Sequence, residues 1–232
     1  MRISVIIPAH NASKTIIATL RSVFSQSLLA DEVIVVDDGS TDDLEKTLAP
    51  FGDRITAIKT PRCGAAAARN AGASIAGGEA LFFSDADLEL YPTLFSKLSQ
   101  ALEENPDTAF AYSSFIWLGK VFKARPFSAT ELKINNYIST MSLIRRSAFP
   151  GFDESLPRFQ DWDLWLTLTE RGAKGVAVPE VLFRVLEAGT MSRRGGLSRI
   201  LATRRIRKKH NLPWRFSDLW LALKESFRSG KL

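Results

Sequence analysis

Cysteine is almost absent from this chain, and its scarcity narrows the class of protein. The 232 residues contain one cysteine, Cys63, which excludes an intrachain disulfide and fits a reducing compartment. No apolar run approaches the roughly 18 residues that a membrane-spanning helix needs. A strand pattern begins at Ile3, so we expect no signal peptide. An apolar content of 45% with 24% charged residues is typical of a globular protein with one sizeable core.

The chain also lacks the glycine-rich loops with which two common nucleotide-binding folds hold phosphate. The first strand pattern ends at Pro8, and residues 8–13 contain no glycine. A dinucleotide-binding fold needs a G-x-G-x-x-G sequence at this point, and a Walker lysine loop is absent as well. A dinucleotide cofactor is therefore disfavoured.

Acidic residues are scarce at the end of the chain. From Arg193 onward there are 12 Lys and Arg residues against 2 Asp and Glu residues. Residues 1–192 then contain 19 Lys and Arg residues against 23 Asp and Glu residues. Two helices are predicted there, at 197–209 and 216–227, with cations between aliphatic and aromatic residues. We therefore consider residues 193–232 a candidate contact with an anionic membrane surface. Two alternatives stay open: the helices pack on the main body, or they bind nucleic acid, which is disfavoured without a recognised nucleic-acid fold.

Strand and helix patterns alternate through the first part of the chain. Short apolar runs typical of buried strands are separated by amphipathic or small-residue helices. This alternation predicts an α/β fold with a parallel, doubly wound sheet. The predicted strands are 3–7, 33–36, 55–58 and 81–83, and the predicted helices are 14–25, 44–48 and 64–72.

The second part of the chain is less regular. We expect one main domain over residues 1–190, with halves at 1–90 and 91–190, and a helical extension over 191–232. Residues 119–137 are predicted to be irregular. The other predicted elements are helices at 92–104 and 161–169 and strands at 110–118, 140–144, 176–178 and 181–186.

Two carboxylates follow the fourth predicted strand directly. Asp85 and Asp87 come after the apolar run 81–83, and open α/β sheets bind ligands at the carboxyl ends of their strands. On an extended segment, side chains at i and i+2 point the same way. Two such oxygen ligands suit Mg²⁺ or Mn²⁺, and a metal bound this way usually also contacts a phosphate. The alternative is a solvated turn after an edge strand.

The ends of the first two strands form a candidate nucleotide pocket. His10 offers a flat ring on which a base can stack, and Asp38 can accept a hydrogen bond from a uracil N–H. The alternative is that Asp37 and Asp38 cap the next helix, although capping needs only one of them. Arg69, the long cation of the small-residue helix, can reach a phosphate or pair with Asp38 or Asp85. It can also be a surface arginine on a structural helix.

Asp161 lies at the start of a predicted helix, shortly after Pro157. A carboxylate in this place can be an N-cap. It can also be a general base, for which it needs only to reach the proton of an attacking hydroxyl. Asp163 is expected to stabilise the first turn of the helix.

Six motifs follow one another along the chain, at residues 4–11, 36–42, 64–72, 85–87, 151–154 and 160–165. Their order resembles the family 2 glycosyltransferases, the large inverting group with the GT-A fold. No motif is specific alone, but the ordered set is, and the resemblance covers about residues 2–187. It implies a mostly parallel central sheet flanked by helices, a nucleotide-sugar donor that is usually a UDP-sugar, and a divalent metal at the D-x-D segment.

The resemblance implies a role for each matched residue. His10 would stack on the base, and Asp38 would read it. Asp87 would hold Mn²⁺ or Mg²⁺, and Asp85 would contact the ribose or a metal-bound water. Asp161 would be the catalytic base, and one base without a protein nucleophile means a single displacement with inversion.

Three further residues, Pro8, Ala9 and Arg69, are expected to contact the nucleotide.

Two positions depart from the family pattern. Leu186 stands where relatives often have a histidine that helps hold the metal or diphosphate, and Leu88 stands where many have a third acid. Metal binding is therefore expected to be weaker or completed by water.

These features predict a metal-dependent, inverting hexosyltransferase of bacterial type that acts in surface polysaccharide or glycolipid synthesis. Residues 1–90 would bind the donor, and residues 91–190 a carbohydrate or lipid-linked acceptor. The expected location is cytoplasmic, with peripheral attachment at the inner face of the membrane. A nucleotidyltransferase acting on sugar phosphates is an alternative, but its basic glycine-rich loop is missing. A non-catalytic sugar-nucleotide-binding module is another, against which the intact acids argue.

Overall fold

The computed structural model describes residues 1–186 and 197–214. Within these residues the chain forms one nine-stranded mixed sheet with helices on both faces. The strands are β1 Ile3–Ala9, β2 Glu32–Asp38, β3 Thr56–Thr60, β4 Ala80–Phe83, β5 Leu88–Leu90, β6 Phe110–Trp117, β7 Lys120–Phe122, β8 Leu143–Arg145 and β9 Gly175–Val185. The helices are α1 Ile16–Phe24, α2 Leu44–Leu48, α3 Ala65–Ile75, α4 Leu94–Glu104, α5 Ala129–Ile134, α6 Gln160–Glu170 and α7 Leu197–Lys209, with 3₁₀ turns at Ala49–Arg54 and Arg146–Ala148.

The first four strands form the parallel half of the sheet, in the order β3-β2-β1-β4. The central residues of β1, β2 and β4 are buried on both faces, as the continuous apolar runs predict, whereas the edge strand β3 is exposed or half-buried. Ala9 is paired with Asp37, and Ile6 with Phe83, so the carboxyl ends of β1, β2 and β4 meet at one edge. This edge places the predicted nucleotide and acidic residues together.

The second half of the sheet mixes directions. β8 runs antiparallel to β4 and β6, whereas β9 runs parallel to β6 and antiparallel to β5. The prediction of a parallel sheet is therefore correct for the first half and incomplete for the second. The antiparallel β5–β9 pair brings the end of β9 to the segment that follows Asp87.

Several elements differ from the sequence prediction. The region predicted to be irregular contains β7 and α5. The two short strands predicted near the end of the main domain are one strand, β9, whose register against β6 shifts beside Pro179 because proline cannot donate to the ladder. β1 continues through Pro8 instead of ending there. The short strand β5, directly after the D-x-D segment, was not predicted.

The core lies in two layers, one on each side of the sheet. Apolar side chains of α1, α2 and α4 pack on one face, and those of α3, α5, α6 and α7 pack on the other. Alternate residues of β1 point to opposite faces, since Val5 and Ile7 join the first layer and Ile6 joins the second.

The described part of the tail is helical and lies on the main body. α7 agrees with the predicted helix 197–209, and Ile206 is fully buried in the second core layer. Among the described residues, none of the helices has the length and apolarity needed to cross a membrane. The predicted helix 216–227 lies outside the described residues.

Helix α3 lies unusually close to the sheet at Gly72. A Cβ atom there would lie 2.5 Å from Cγ2 of Ile6 and 3.1 Å from Cγ2 of Val36. These are side chains of β1 and β2, both fully or almost fully buried. The absence of a side chain at Gly72 therefore sets the distance between α3 and the strands that end at the site.

We expect Gly72→Ala to lower the free energy of unfolding by about 1–3 kcal/mol, because the added methyl overpacks the α3–sheet contact. The intrinsic helix propensity of alanine acts in the opposite direction by about 1 kcal/mol. Urea denaturation measures the difference. Ser74→Ala, on the exposed side of the same helix, is the matched control and should change stability by less than about 0.5 kcal/mol. Equal effects of the two variants would contradict the packing argument.

Candidate active site

The carboxyl ends of β1 and β2 hold His10 in a defined orientation. Pro8 and Ala9 are the last residues of β1, and His10 follows them. The Nδ1–H of His10 donates to the backbone oxygen of Asp38 at 2.9 Å, and the guanidinium of Arg62 contacts Nε2. This arrangement fixes the plane of the ring, as a stacking surface requires. Arg62 was not identified from the sequence.

Asp38 is a buried acceptor, 5% exposed, and it does not cap the helix that follows it. Its carboxylate accepts the backbone N–H of Cys63 at 2.7 Å and of Gly64 at 3.0 Å. It thereby supports the loop before α3, and Asp37 accepts from the N–H of Ser40. The predicted alternative, capping of α2 by this acidic pair, is wrong.

The thiol of Cys63 also donates to Asp38, at 3.2 Å. Partial desolvation and the neighbouring negative charge of Asp38 raise the pKa of this thiol, although Cys63 is an exposed residue. Cys63 and Gly64 were not predicted to contact Asp38, because the sequence shows no motif that links the end of β2 to a loop some 25 residues later.

Arg69 connects the acidic segment to helix α6. Its side chain is buried, and Nη2 donates to Oδ1 of Asp85 at 2.8 Å while Nη1 donates to Oε1 of Gln160 at 3.0 Å. Pairing with Asp85 was one of the predicted alternatives and is confirmed, whereas the prediction of a surface arginine is wrong. Gln160 directly precedes Asp161, so this one cation joins the D-x-D segment to the predicted base.

The D-x-D segment is a turn instead of an extended segment. Ala86 and Asp87 form the turn between β4 and β5, so the expectation of two side chains on one extended face is wrong. The Asp85 side chain is 42% exposed. The backbone oxygen of Asp87 accepts from the N–H of Leu186 at 2.8 Å. Leu186 therefore lies beside the D-x-D segment, where a histidine would be close to the acids.

The donor set of this turn fits a hard divalent cation. Over residues 1–186 and 197–214, His, Cys, Asp and Glu side chains form no group of three or more that could hold a metal. Mg²⁺ commonly binds through one or two carboxylates together with substrate phosphates and water. Asp85 and Asp87 supply such a pair, so the residues present suit a metal that a diphosphate helps to bind.

Asp161 lies inside the first turn of α6 and is not its N-cap. The N-cap is Phe159, in a left-handed conformation with φ of 58°. Oδ1 of Asp161 accepts from the Trp162 N–H at 2.9 Å, and Oδ2 accepts from Nδ2 of Asn136 at 2.7 Å. Both oxygens are thus held by donors. Asn136 was missed in a segment predicted to be irregular, where no motif indicates it.

Opposing effects set the pKa of Asp161. Burial raises it above the ordinary aspartate value. The N–H of Trp162, the charge of Arg69 and the amide of Asn136 act in the other direction, and burial prevails. A carboxylate with a raised pKa is a stronger base than one in water, and this suits proton abstraction from a hydroxyl.

Asp163 is an acidic residue of the first turn of α6, as predicted, and it also makes a long-range contact. Its carboxylate is buried and contacts Lys209 at 2.8 Å and Nε2 of His210 at 2.8 Å, both at the end of α7. The prediction that it serves the first turn of α6 misses this long-range contact.

Comparison with known protein families and curated relatives points to one class of enzyme. The family model described as glycosyl transferase family 2 matches residues 4–152. The chain is 33% identical over 207 residues to WfaP of Escherichia coli, a UDP-Glc:alpha-D-GlcNAc-diphosphoundecaprenol beta-1,3-glucosyltransferase. That match covers 82% of this chain and 79% of WfaP.

Solved structures share the fold over nearly the whole chain. TarS 1-349 of S. aureus in complex with UDP-GlcNAc superposes with a TM-score of 0.74 at 19% identity, covering 98% of this chain and 73% of that one. The mannosyltransferase PcManGT of Pyrobaculum calidifontis, in complex with GDP-Man and Mn²⁺, gives a TM-score of 0.74 at 18% identity. That match covers 100% of this chain and 76% of PcManGT. These likenesses confirm the GT-A fold, and the family model and WfaP together establish that the chain belongs to glycosyl transferase family 2, the nucleotide-sugar-dependent glycosyltransferases.

Proposed function

We propose that this glycosyltransferase moves a hexosyl group from a UDP-sugar to an acceptor hydroxyl with inversion of the anomeric carbon. The observation that carries the proposal is the bridge made by Arg69. It hydrogen-bonds Asp85 in the D-x-D turn and Gln160, the residue before Asp161. The proposed diphosphate-binding pair and the proposed base would therefore lie close to one cation, and a reaction at the bond between diphosphate and sugar needs both near that bond.

The nucleotide is proposed to bind at the ends of β1 and β2. His10 would stack on the base, supported by its hydrogen bond to the Asp38 backbone. The Asp38 carboxylate would accept from the base, with Pro8 and Ala9 lining the pocket. The carboxylate already accepts from two backbone N–H groups, which keep it oriented.

The diphosphate is proposed to lie against the D-x-D turn. Asp87 would hold Mn²⁺ or Mg²⁺, and Asp85 would contact the ribose or a metal-bound water. The bound metal would neutralise charge that develops on the departing diphosphate. Arg69 orients Asp85 and adds a fixed positive charge beside it. Mn²⁺ in the PcManGT complex supports this assignment.

Asp161 is proposed to take the proton of the attacking hydroxyl. Its oxygens are fixed by Trp162 and Asn136, and burial raises its pKa. Attack then occurs in one displacement on the side opposite the diphosphate, because the site offers a base but no obvious carboxylate nucleophile. Inversion follows from that single step.

The acceptor is proposed to be a carbohydrate or a lipid-linked sugar. WfaP, whose acceptor is a sugar on diphosphoundecaprenol, supports a place in surface polysaccharide or glycolipid synthesis. Such an acceptor would bring the enzyme to the inner face of the membrane. Family membership argues against both the nucleotidyltransferase and the non-catalytic alternatives.

Asp161→Asn should lower kcat by about 10²–10⁴-fold, because the amide cannot accept the acceptor proton. Transfer from UDP-glucose is measured by UDP release in the presence of acceptor, and UDP affinity by calorimetry should be nearly unchanged. Asp107→Asn, at an exposed turn, is the matched control and should retain wild-type activity. Substantial turnover by Asp161→Asn would refute the role of Asp161 as base.

Asp87→Ala should weaken Mn²⁺-dependent binding of UDP-sugar by at least about tenfold, since the carboxylate proposed to hold the metal is lost. Titration of UDP-glucose at several Mn²⁺ concentrations measures this dependence, again with Asp107→Asn as control. The assignment of Asp87 fails if the variant keeps the wild-type metal requirement.

The product should carry the anomeric configuration opposite to that of the donor, because a single displacement inverts the reacting carbon. NMR coupling constants of the anomeric proton, followed from the start of the reaction, distinguish the two configurations. A product of retained configuration would exclude the single-displacement mechanism.

A further inference from the structure

Helix α7 contacts the segment that leads to Asn136. Arg207 is 2% exposed, and its Nη2 donates to the backbone oxygen of Ile134 at 3.1 Å while Nη1 reaches that of Lys133 at 3.5 Å. These are the last two residues of α5, whose carbonyls have no partner within the helix. The charge of Arg207 therefore holds the end of α5, two residues before Asn136.

The end of α7 also contacts α6. His210 is 6% exposed and lies between two carboxylates of α6: Nε2 is 2.8 Å from Asp163 and Nδ1 is 2.8 Å from Glu170. Lys209 adds bonds to Asp163 at 2.9 Å and Asp153 at 2.6 Å. Asp163 lies two residues after Asp161, so this contact holds the first turn of α6.

We propose that Arg207 and His210 are positioning residues for Asp161, an inference that rests on the proposed role of Asp161 as base. Arg207 fixes the segment that delivers the Asn136 amide, and His210 fixes the helix turn that carries Asp161. Between them lies the 2.7 Å hydrogen bond from Asn136 to Asp161. The indole of Trp162, which donates to the Leu132 oxygen at 2.7 Å, ties α5 and α6 together beside it.

The charge on His210 gives this arrangement a defined pH dependence. Burial alone lowers the pKa of His210, but the bonds with Asp163 and Glu170 outweigh it and raise the pKa above the ordinary value. The imidazolium can donate to both carboxylates, so the contact is complete at low pH and is lost as pH rises through the raised pKa. His210, Asp163 and Glu170 line one cavity, and the other charged residues that line it are Asp153, Arg171 and Lys209.

The test compares Arg207→Gln, Arg207→Lys and Lys208→Gln in the full chain. Arg207→Gln should lower kcat about tenfold or more, because a small displacement of a reacting group is costly, while UDP affinity stays unchanged. Arg207→Lys should restore part of kcat. Lys208 is exposed on the same helix, and Lys208→Gln should behave as wild type.

The pH profile separates positioning from mere stability. When α5 shifts, the Asn136 bond that lowers the pKa of Asp161 weakens, so the acid limb of kcat/KM should move to higher pH in Arg207→Gln. His210→Gln should lower kcat at neutral pH and remove the part of the alkaline decline that comes from His210.

Wild-type kcat together with an unmoved acid limb in Arg207→Gln would overturn the proposal. If that variant does not fold, the same two measurements on Arg207→Lys and His210→Gln decide in its place. Asp161→Asn is measured in parallel. If Asp161→Asn stays active, Asp161 is not the base. If Asp161→Asn is inactive while Arg207→Gln behaves as wild type in both measurements, only the positioning role of Arg207 is refuted.

Discussion

The buried guanidinium of Arg69 is the constraint on which the site depends. An arginine taken out of water keeps its charge, so its donors need partners inside the protein. The two terminal nitrogens find such partners in Asp85 of the acidic turn and in Oε1 of Gln160 in the first turn of α6. The close approach of α3 to the sheet at Gly72 holds the helix that carries this cation against β1 and β2. Loss of Asp85 would leave the buried charge unpaired, and loss of Gln160 would leave a buried N–H without an acceptor, so α3, the acidic turn and α6 are held in one relative arrangement.

The positive charge of Arg69 also limits how far burial raises the pKa of Asp161. A carboxylate without compensating donors in a buried site is neutral near pH 7 and accepts no proton, whereas one in water is a weak base. Here burial raises the pKa, and Trp162, Arg69 and Asn136 each lower it. Two of these three contributions come from outside α6. The basicity of Asp161 is therefore a property of how α3, α5 and α6 pack together.

Sequence reasoning succeeded where one local pattern decides the structure. Buried apolar runs gave the four parallel strands, and polar residues at strand ends gave Asp38 and Asp85, although their individual roles stay predictions. It failed where contacts are long-range. The supporting donors Arg62 and Asn136 belong to segments without periodicity, and the residues they contact lie far away in the chain. The antiparallel pairing in the second half of the sheet was not predicted for a similar reason, although β6, β8 and β9 were predicted as strands, and strands as short as β5 form only by pairing with a distant partner.

The basic tail shows why composition identifies a charge without identifying its partner. Residues 193–232 are strongly cationic and the main body is mildly acidic, a split that suits either a membrane or the body itself. Three basic residues at the end of α7 and directly after it contact the main body of the protein. Arg207 binds α5 carbonyls, and Lys209 and His210 share Asp163. Cations engaged in this way contribute little to attraction by lipid, and any membrane contact must come from other parts of the tail. Because both sets of contacts end within two residues of Asn136 or Asp161, α7 is packed on the elements that hold these two side chains.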